Sequence, residues 1–141
     1  MAGFGAAAEA AARDLADGVW DRVAQLRNIL DQGLSAAGFG TISVGNGMRR
    51  LPNTLCLIAP GWKGETQVMQ MDLAGFAVSA GSACSSGKVR ASRVLRAMGY
   101  GEAEAGSAIR FSLGPSVTED EVLACVAAWT TRYARHRARV A

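Results

Sequence analysis

Ile109-Arg110-Phe111-Ser112-Leu113 alternates apolar and polar side chains without interruption. A period of two sets Ile109, Phe111 and Leu113 on one face of a strand and Arg110 and Ser112 on the other. One face is buried; the other is wet or functional. Gly114-Pro115 closes the strand. Beyond it, Thr118-Glu119-Asp120-Glu121 is a capping box, with Thr118 as cap and Glu121 reaching back. Val122, Cys125, Val126, Trp129 and Tyr133 then form the stripe of a last helix, in which Cys125 is expected to be packed. Closing arginines suit the C-terminal end of that helix, and His136, the only histidine, is expected to lie solvated in a fraying tail.

Upstream, residues 6–36 read as one long helix. The alanine-rich start favours it, and Val19, Val23, Leu26, Leu30 and Leu34 make one apolar stripe, with Gly18 as a weak point. At 1.5 Å per residue such a helix runs about 45 Å, so its first half is expected to need a partner surface. Residues 42–44 suggest a short strand, followed by the turn Gly45-Asn46-Gly47. Residues 54–59 form an apolar run stopped by Pro60-Gly61, read as a buried strand with Cys56 in the core. Val68, Met69, Met71 and Leu73 mark a short helix over 65–73, and a strand is expected over 76–79. Ser92 is a good N-cap for a helix whose apolar face is Val94, Leu95 and Met98 and whose stop is Gly99. The order predicts an α+β fold: a small, mostly antiparallel sheet with helices packed on it. One domain spans 1–141, with the long helix at 6–36, a body over about 40–135 and a basic tail over 132–141.

With 141 residues, the chain is sized for one domain. No apolar run approaches about 18 residues, so no membrane span is expected. The first ten residues lack the basic start and Leu-rich centre of a signal peptide. Three cysteines without a C-x-x-C pair argue against a disulfide framework or a zinc site and fit a cytoplasmic setting. The net charge is +3, but Arg132, Arg135, Arg137 and Arg139 carry the excess; the remainder holds 11 basic against 12 acidic residues. With no aromatics interleaved in that tail, nucleic acid is not an expected partner.

The chemistry points to residues 78–88, Val-Ser-Ala-Gly-Ser-Ala-Cys-Ser-Ser-Gly-Lys. Gly, Ala and Ser around Cys84 predict a mobile loop and an accessible thiol. Lys88, Arg90, Arg93 and Arg96 follow within twelve residues and favour the thiolate. The bland reading, a loop cysteine of no consequence, stands beside this one on composition alone. Other motifs fail. Gly3-Phe4-Gly5-Ala6-Ala7-Ala8 has no strand before it to make a dinucleotide fingerprint. The Gly81–Lys88 spacing is one residue too long for a phosphate loop, and Val89 stands where a hydroxyl is needed. A cysteine–histidine hydrolase needs a placed base, and His136 is a poor one.

Four segments carry a family resemblance: Leu51-Pro52-Asn53-Thr54, the 78–88 stretch with Gly-Ser-Ala-Cys-Ser-Ser at its centre, Val94-Leu95-Arg96-Ala97-Met98-Gly99, and Ile109-Arg110-Phe111-Ser112-Leu113-Gly114. Over about residues 1–135 the chain resembles the C-terminal part of a cysteine desulfurase of the NifS/IscS-like group, within the class V aminotransferases. The resemblance implies the small C-terminal domain of a fold-type I pyridoxal-phosphate enzyme. It implies sulfur transfer from L-cysteine to a persulfide on Cys84, with L-alanine released, for iron–sulfur cluster or other sulfur-cofactor assembly. By position Cys84 matches the nucleophile and a transient iron–sulfur ligand, and Arg110 matches the arginine that binds the substrate carboxylate. Without the resemblance, Arg110 reads as a solvent-facing strand residue. Implied partners are a sulfur-acceptor or iron–sulfur scaffold protein, a second copy of the enzyme and a separate pyridoxal-phosphate domain. Neither Lys63 nor Lys88, the only lysines, matches the Schiff-base position. The large cofactor-binding domain is therefore expected to be absent, as in a truncated or split enzyme, and the chain alone is expected to be inactive. The alternatives are a non-catalytic persulfide carrier or interaction module, and another class V enzyme such as a selenocysteine lyase.

Overall fold

The computed structural model describes residues 2–38, 40–81 and 91–140. Its centre is strand β2 (Thr54–Ile58), which pairs antiparallel with β1 (Ile42–Ser43) on one side and β3 (Ala108–Ser112) on the other. The register sets Leu55 opposite Phe111 and Leu57 opposite Ile109. Opposed residues share a face, so these four make one apolar surface, as the 109–113 alternation requires. Helices α2 (Val19–Ser35), α3 (Gly64–Asp72) and α6 (Glu119–Val140) cover it, and Leu26, Leu30, Leu34, Met71, Val122, Cys125, Trp129 and Tyr133 fill the space between. On the opposite face, Ile58 and Ala108 pack with Val44 and with Leu95 and Ala105, from the five-residue helices α4 (Arg93–Ala97) and α5 (Glu102–Gly106). The architecture is α+β with a small antiparallel sheet, as expected.

Five expectations need correction, the fifth at His136 below. Residues 6–36 are not one helix: α1 (Ala2–Ala16) and α2 are separated at Gly18, whose φ of 70° is left-handed. An α-helix cannot run through that conformation, and glycine enters it without steric cost. Helix α1 buries none of its residues, and Phe4 and Leu15 stand 83% and 71% exposed. The strand expected over 76–79 reduces to a single antiparallel bridge, Ser79 to Arg110. Helix α4 buries Leu95 alone, because five residues present one contact; Val94 and Met98 face outward. Cys56 is half-buried rather than enclosed, because it lies on the thinly covered face of the sheet. The Ser92 cap is present, its hydroxyl accepting from Leu95 N at 3.4 Å. So is the capping box: Thr118 N donates to Glu121 Oε2 at 2.8 Å, and Glu121 N donates to Thr118 Oγ1 at 3.3 Å.

A buried polar hub joins the layers. Gln67 is wholly enclosed; its amide donates to Trp62 O at 2.8 Å and Ser107 O at 2.9 Å, and its oxygen accepts from Trp129 Nε1 at 3.1 Å. Tyr133 donates to Pro60 O at 2.9 Å and stacks on Trp62 at 5.4 Å. His136 continues the stack, 5.6 Å from Trp62, and donates from Nε2 to Gly61 O at 3.0 Å. It is not a solvated tail residue: α6 continues to Val140 and holds it in place. A second polar link binds α2 to the β1 region, where Arg50 pairs with Asp31 at 3.0 Å and Ser43 donates to the same carboxylate at 2.9 Å. Arg27, also buried, leaves Nε and Nη1 without a hydrogen-bond partner among the described residues. Burial lowers its pKa most, the Arg50 charge adds to that, and Asp31 opposes it.

Helices α2 and α6 meet closely at Gly33, where an added Cβ would lie 2.8 Å from Val126 Cγ1. Alanine gains about 1 kcal/mol of helix propensity over glycine, but overpacking costs about 1–3 kcal/mol. Val126 is stiff at χ1 and yields poorly. Gly33→Ala is therefore expected to lower stability by about 1 kcal/mol net, measured by urea unfolding. A stabilised variant would mean that the helices separate freely at this point.

Candidate functional site

Arg110 sits in the middle of β3. Its N–H donates to Ser79 O at 2.7 Å, and its carbonyl accepts from Ser79 N at 3.1 Å. On the other side it faces Cys56, whose own carbonyl is turned to β1 and accepts from Val44 N at 2.9 Å. Arg110 and Cys56 are thus a non-hydrogen-bonded pair, the position where side chains of an antiparallel ladder approach most closely. Ser79, Arg110 and Cys56 form a row across one sheet face. The Arg110 side chain is exposed, and no hydrogen bond or ion pair holds it among the described residues. A guanidinium in that state presents its planar fork of donors to a carboxylate from outside.

Residues 82–90 lie outside the described residues, and with them Cys84, Lys88 and Arg90. The expected loop and the local field on the Cys84 thiol belong to that segment. Both flanks are placed. Gly81 and Ala91 line one cleft of about 610 Å³ together with Lys63, Gly64, Ala80 and the inner side of α5. Gly64 allows α3 to start close to β3: an added Cβ would lie 2.6 Å from Ala108 O and 2.9 Å from Ala80 Cβ. The cleft contains one lysine, Lys63, and two carboxylates, Glu65 and Glu102. Among the described residues, no aromatic ring and no arginine lines it. The described residues of this cleft therefore do not fit pyridoxal phosphate, which needs an aromatic stacking surface and cations or N–H donors for its phosphate. Among the described residues no group of three or more His, Cys, Asp and Glu converges as a metal site, and no helix is long and apolar enough to cross a membrane.

The two described cysteines differ from a reactive thiol. Burial pushes the Cys56 thiol up, and the Arg110 charge pulls it partly back. Burial alone pushes Cys125 up to about 11, from an ordinary value of 9.0. A thiol whose folded pKa is raised keeps its proton longer in the folded state. Its contribution is full below the unfolded value and is lost as pH rises through the folded one. Stability is therefore expected to decline between about pH 9 and 11, and Cys125 should resist iodoacetamide at pH 8 until urea unfolds the chain. Rapid labelling of Cys125 in the folded protein would contradict its placement.

Sequence reading singled out Arg110 but missed its neighbours. Cys56 and Ser79 join it only through strand register. Helix α5, which walls the cleft, was also missed: its signal is the helix-forming Glu-Ala-Glu-Ala after Gly101, with Gly101 N donating to Glu104 Oε2 at 2.8 Å.

The profile of the family described as Aminotransferase class-V matches residues 1–125. A cysteine desulfurase of Cereibacter sphaeroides is 40% identical over 122 residues, which cover 86% of this chain and 30% of that protein. The cysteine desulfurase IscS of an Anaeromyxobacter species is 42% identical over 123 residues, again 86% of this chain and 30% of the relative. Among solved structures, a NifS-like protein from Rickettsia africae superposes with a TM-score of 0.70 at 30% identity, over 81% of this chain and 29% of its own. The chain thus spans about 30% of the length of the curated relatives it matches. With the profile match over most of its length and the NifS-like fold in agreement, the chain belongs to the class V aminotransferase family.

Proposed function

We propose that the chain serves a cysteine desulfurase reaction. L-cysteine and the Cys84 thiol give L-alanine and a Cys84 persulfide; sulfur leaves the substrate β-carbon and joins Cys84, and the thiol proton balances alanine. The observation that carries the reading is the Ser79–Arg110 bridge. It fixes an exposed guanidinium, unpaired among the described residues, beside the segment whose sequence reaches Cys84 five positions later. Arg110 holds the substrate carboxylate, and Cys84 carries the sulfur to an acceptor or iron–sulfur scaffold protein. Relatives of 40% and 42% identity named cysteine desulfurase support this chemistry. Pyridoxal phosphate, a second copy of the enzyme and the residues that bind the cofactor belong to the same proposal. The described cleft supplies no site for the cofactor.

The test is direct. The purified 141-residue chain, given L-cysteine and pyridoxal phosphate, is expected to release no alanine and to show no internal-aldimine absorbance. Alanine release would mean that Lys63 or Lys88 serves as the missing lysine. A second reading, a persulfide carrier loaded by a separate desulfurase, is favoured by the poor fit of the cleft to the cofactor. Under it, Cys84 becomes persulfidated in a mixture with an active desulfurase although the chain itself turns nothing over.

A further inference from the structure

Arg132, Arg135, His136 and Arg139 stand at spacings of three and four on α6 and line one depression of about 220 Å³, closed by Trp62, Thr66 and Gln70. Among the described residues, no carboxylate lines it. The ion pairs found among the described residues, Glu9–Arg13, Asp31–Arg50 and Arg96–Glu102, lie elsewhere. Like charges at this spacing repel one another along a helix. The helix dipole favours cations in the last turn, which accounts for Arg137 and Arg139. It does not account for three guanidinium groups converging on the side that faces α3.

Two of the four groups are held in place. Arg132 donates from Nε to Gln70 O at 2.9 Å and from Nη1 to Ala128 O at 3.0 Å, which leaves Nη2 without a partner among the described residues. The His136 ring is fixed between Gly61 O and the Trp62 face. Arg135 and Arg139 make no hydrogen bond or ion pair among the described residues. The depression is small, below the roughly 300 Å³ of a drug-sized pocket. A fixed guanidinium beside two free ones, around a space of that size, matches a compact, doubly charged oxyanion. Guanidinium groups pair with phosphate oxygens through parallel N–H bonds.

We propose that this depression binds a phosphoryl group, from inorganic phosphate or from a phosphate ester. It lies under α3 and α6, on the opposite side of the sheet from the Arg110 side chain, and it does not depend on the desulfurase reading. The experiment follows the unfolding midpoint and the ³¹P resonance during titration with inorganic phosphate and, separately, with a nucleoside diphosphate. Sodium chloride at equal ionic strength is the control. The comparison variant is Arg135→Ala/Arg139→Ala, which removes exposed side chains and no fold contact. Saturable stabilisation by either probe is expected, with affinity weakened about tenfold or more in the variant. Saturation by both probes would place recognition in the phosphoryl group itself; saturation by the nucleotide alone would point to the ester. A response matched by sodium chloride, or one equal in wild type and variant, would overturn the proposal.

Discussion

Gln67→Leu is expected to lower the unfolding free energy by about 4 kcal/mol. The leucine side chain matches the volume closely enough that little cavity opens, so the cost is polar. Trp129 Nε1 and Trp62 O lose the partners that Gln67 gives them in the core, while Ser107 O keeps its bond from Ala59 N at 3.1 Å. Leaving a buried donor or acceptor unpaired costs about 1–3 kcal/mol each, so two such groups set the figure. Gln67→Glu is expected to be no better. A carboxylate keeps an acceptor for Trp129 but sets negative charge against two carbonyl oxygens in a site without a cation. Urea unfolding followed by tryptophan fluorescence reads both variants. A loss below about 1 kcal/mol for Gln67→Leu would mean that water replaces the amide and the hub is not closed.

Arg110→Ala, placed in an active desulfurase containing this chain, is expected to reduce kcat/KM for L-cysteine by at least about a hundredfold. Its side chain is exposed and unpaired among the described residues, so stability should stay within about 0.5 kcal/mol. Separation of activity from stability distinguishes a substrate clamp from a strand residue. Arg110→Lys keeps the charge but loses the two-pronged geometry, and is expected to recover only part of the activity. If the lysine variant matched wild type, bidentate carboxylate binding would not be the role of Arg110. An intact kcat/KM in the alanine variant would remove Arg110 from the site.

The parts legible from the sequence are those that local periodicity controls. The 109–113 alternation, the Thr118–Glu121 box and the Val23–Leu34 stripe each describe one element and its buried face, and the structure has them. What stayed hidden depends on contacts distant in sequence. Gln67 looks like any polar residue on a short helix; the signal available was that two tryptophans, Trp62 and Trp129, rarely enclose themselves without a partner for an indole N–H. His136 looked like a tail residue because nothing local announces that Gly61, 75 positions away, accepts from it. Register explains the Cys56–Arg110 pairing, and a slip of one residue would have undone it. The break at Gly18 was visible as a weak point, but propensity alone does not separate a kink from a full stop. Cys84 and Arg110 were singled out together because their motifs were read jointly: composition indicated a loop thiol, and only the family resemblance gave the arginine a role.

The central claim is that Cys84 receives sulfur from L-cysteine. The measurement that tests it most directly is mass spectrometry of alkylated peptides after the chain is incubated with an active desulfurase and L-cysteine. The account predicts a gain of one sulfur atom on the peptide carrying Cys84, removed by dithiothreitol and absent in Cys84→Ser, with Cys56 and Cys125 unchanged. Sulfur on Cys56 or Cys125, or labelling that survives Cys84→Ser, would contradict it.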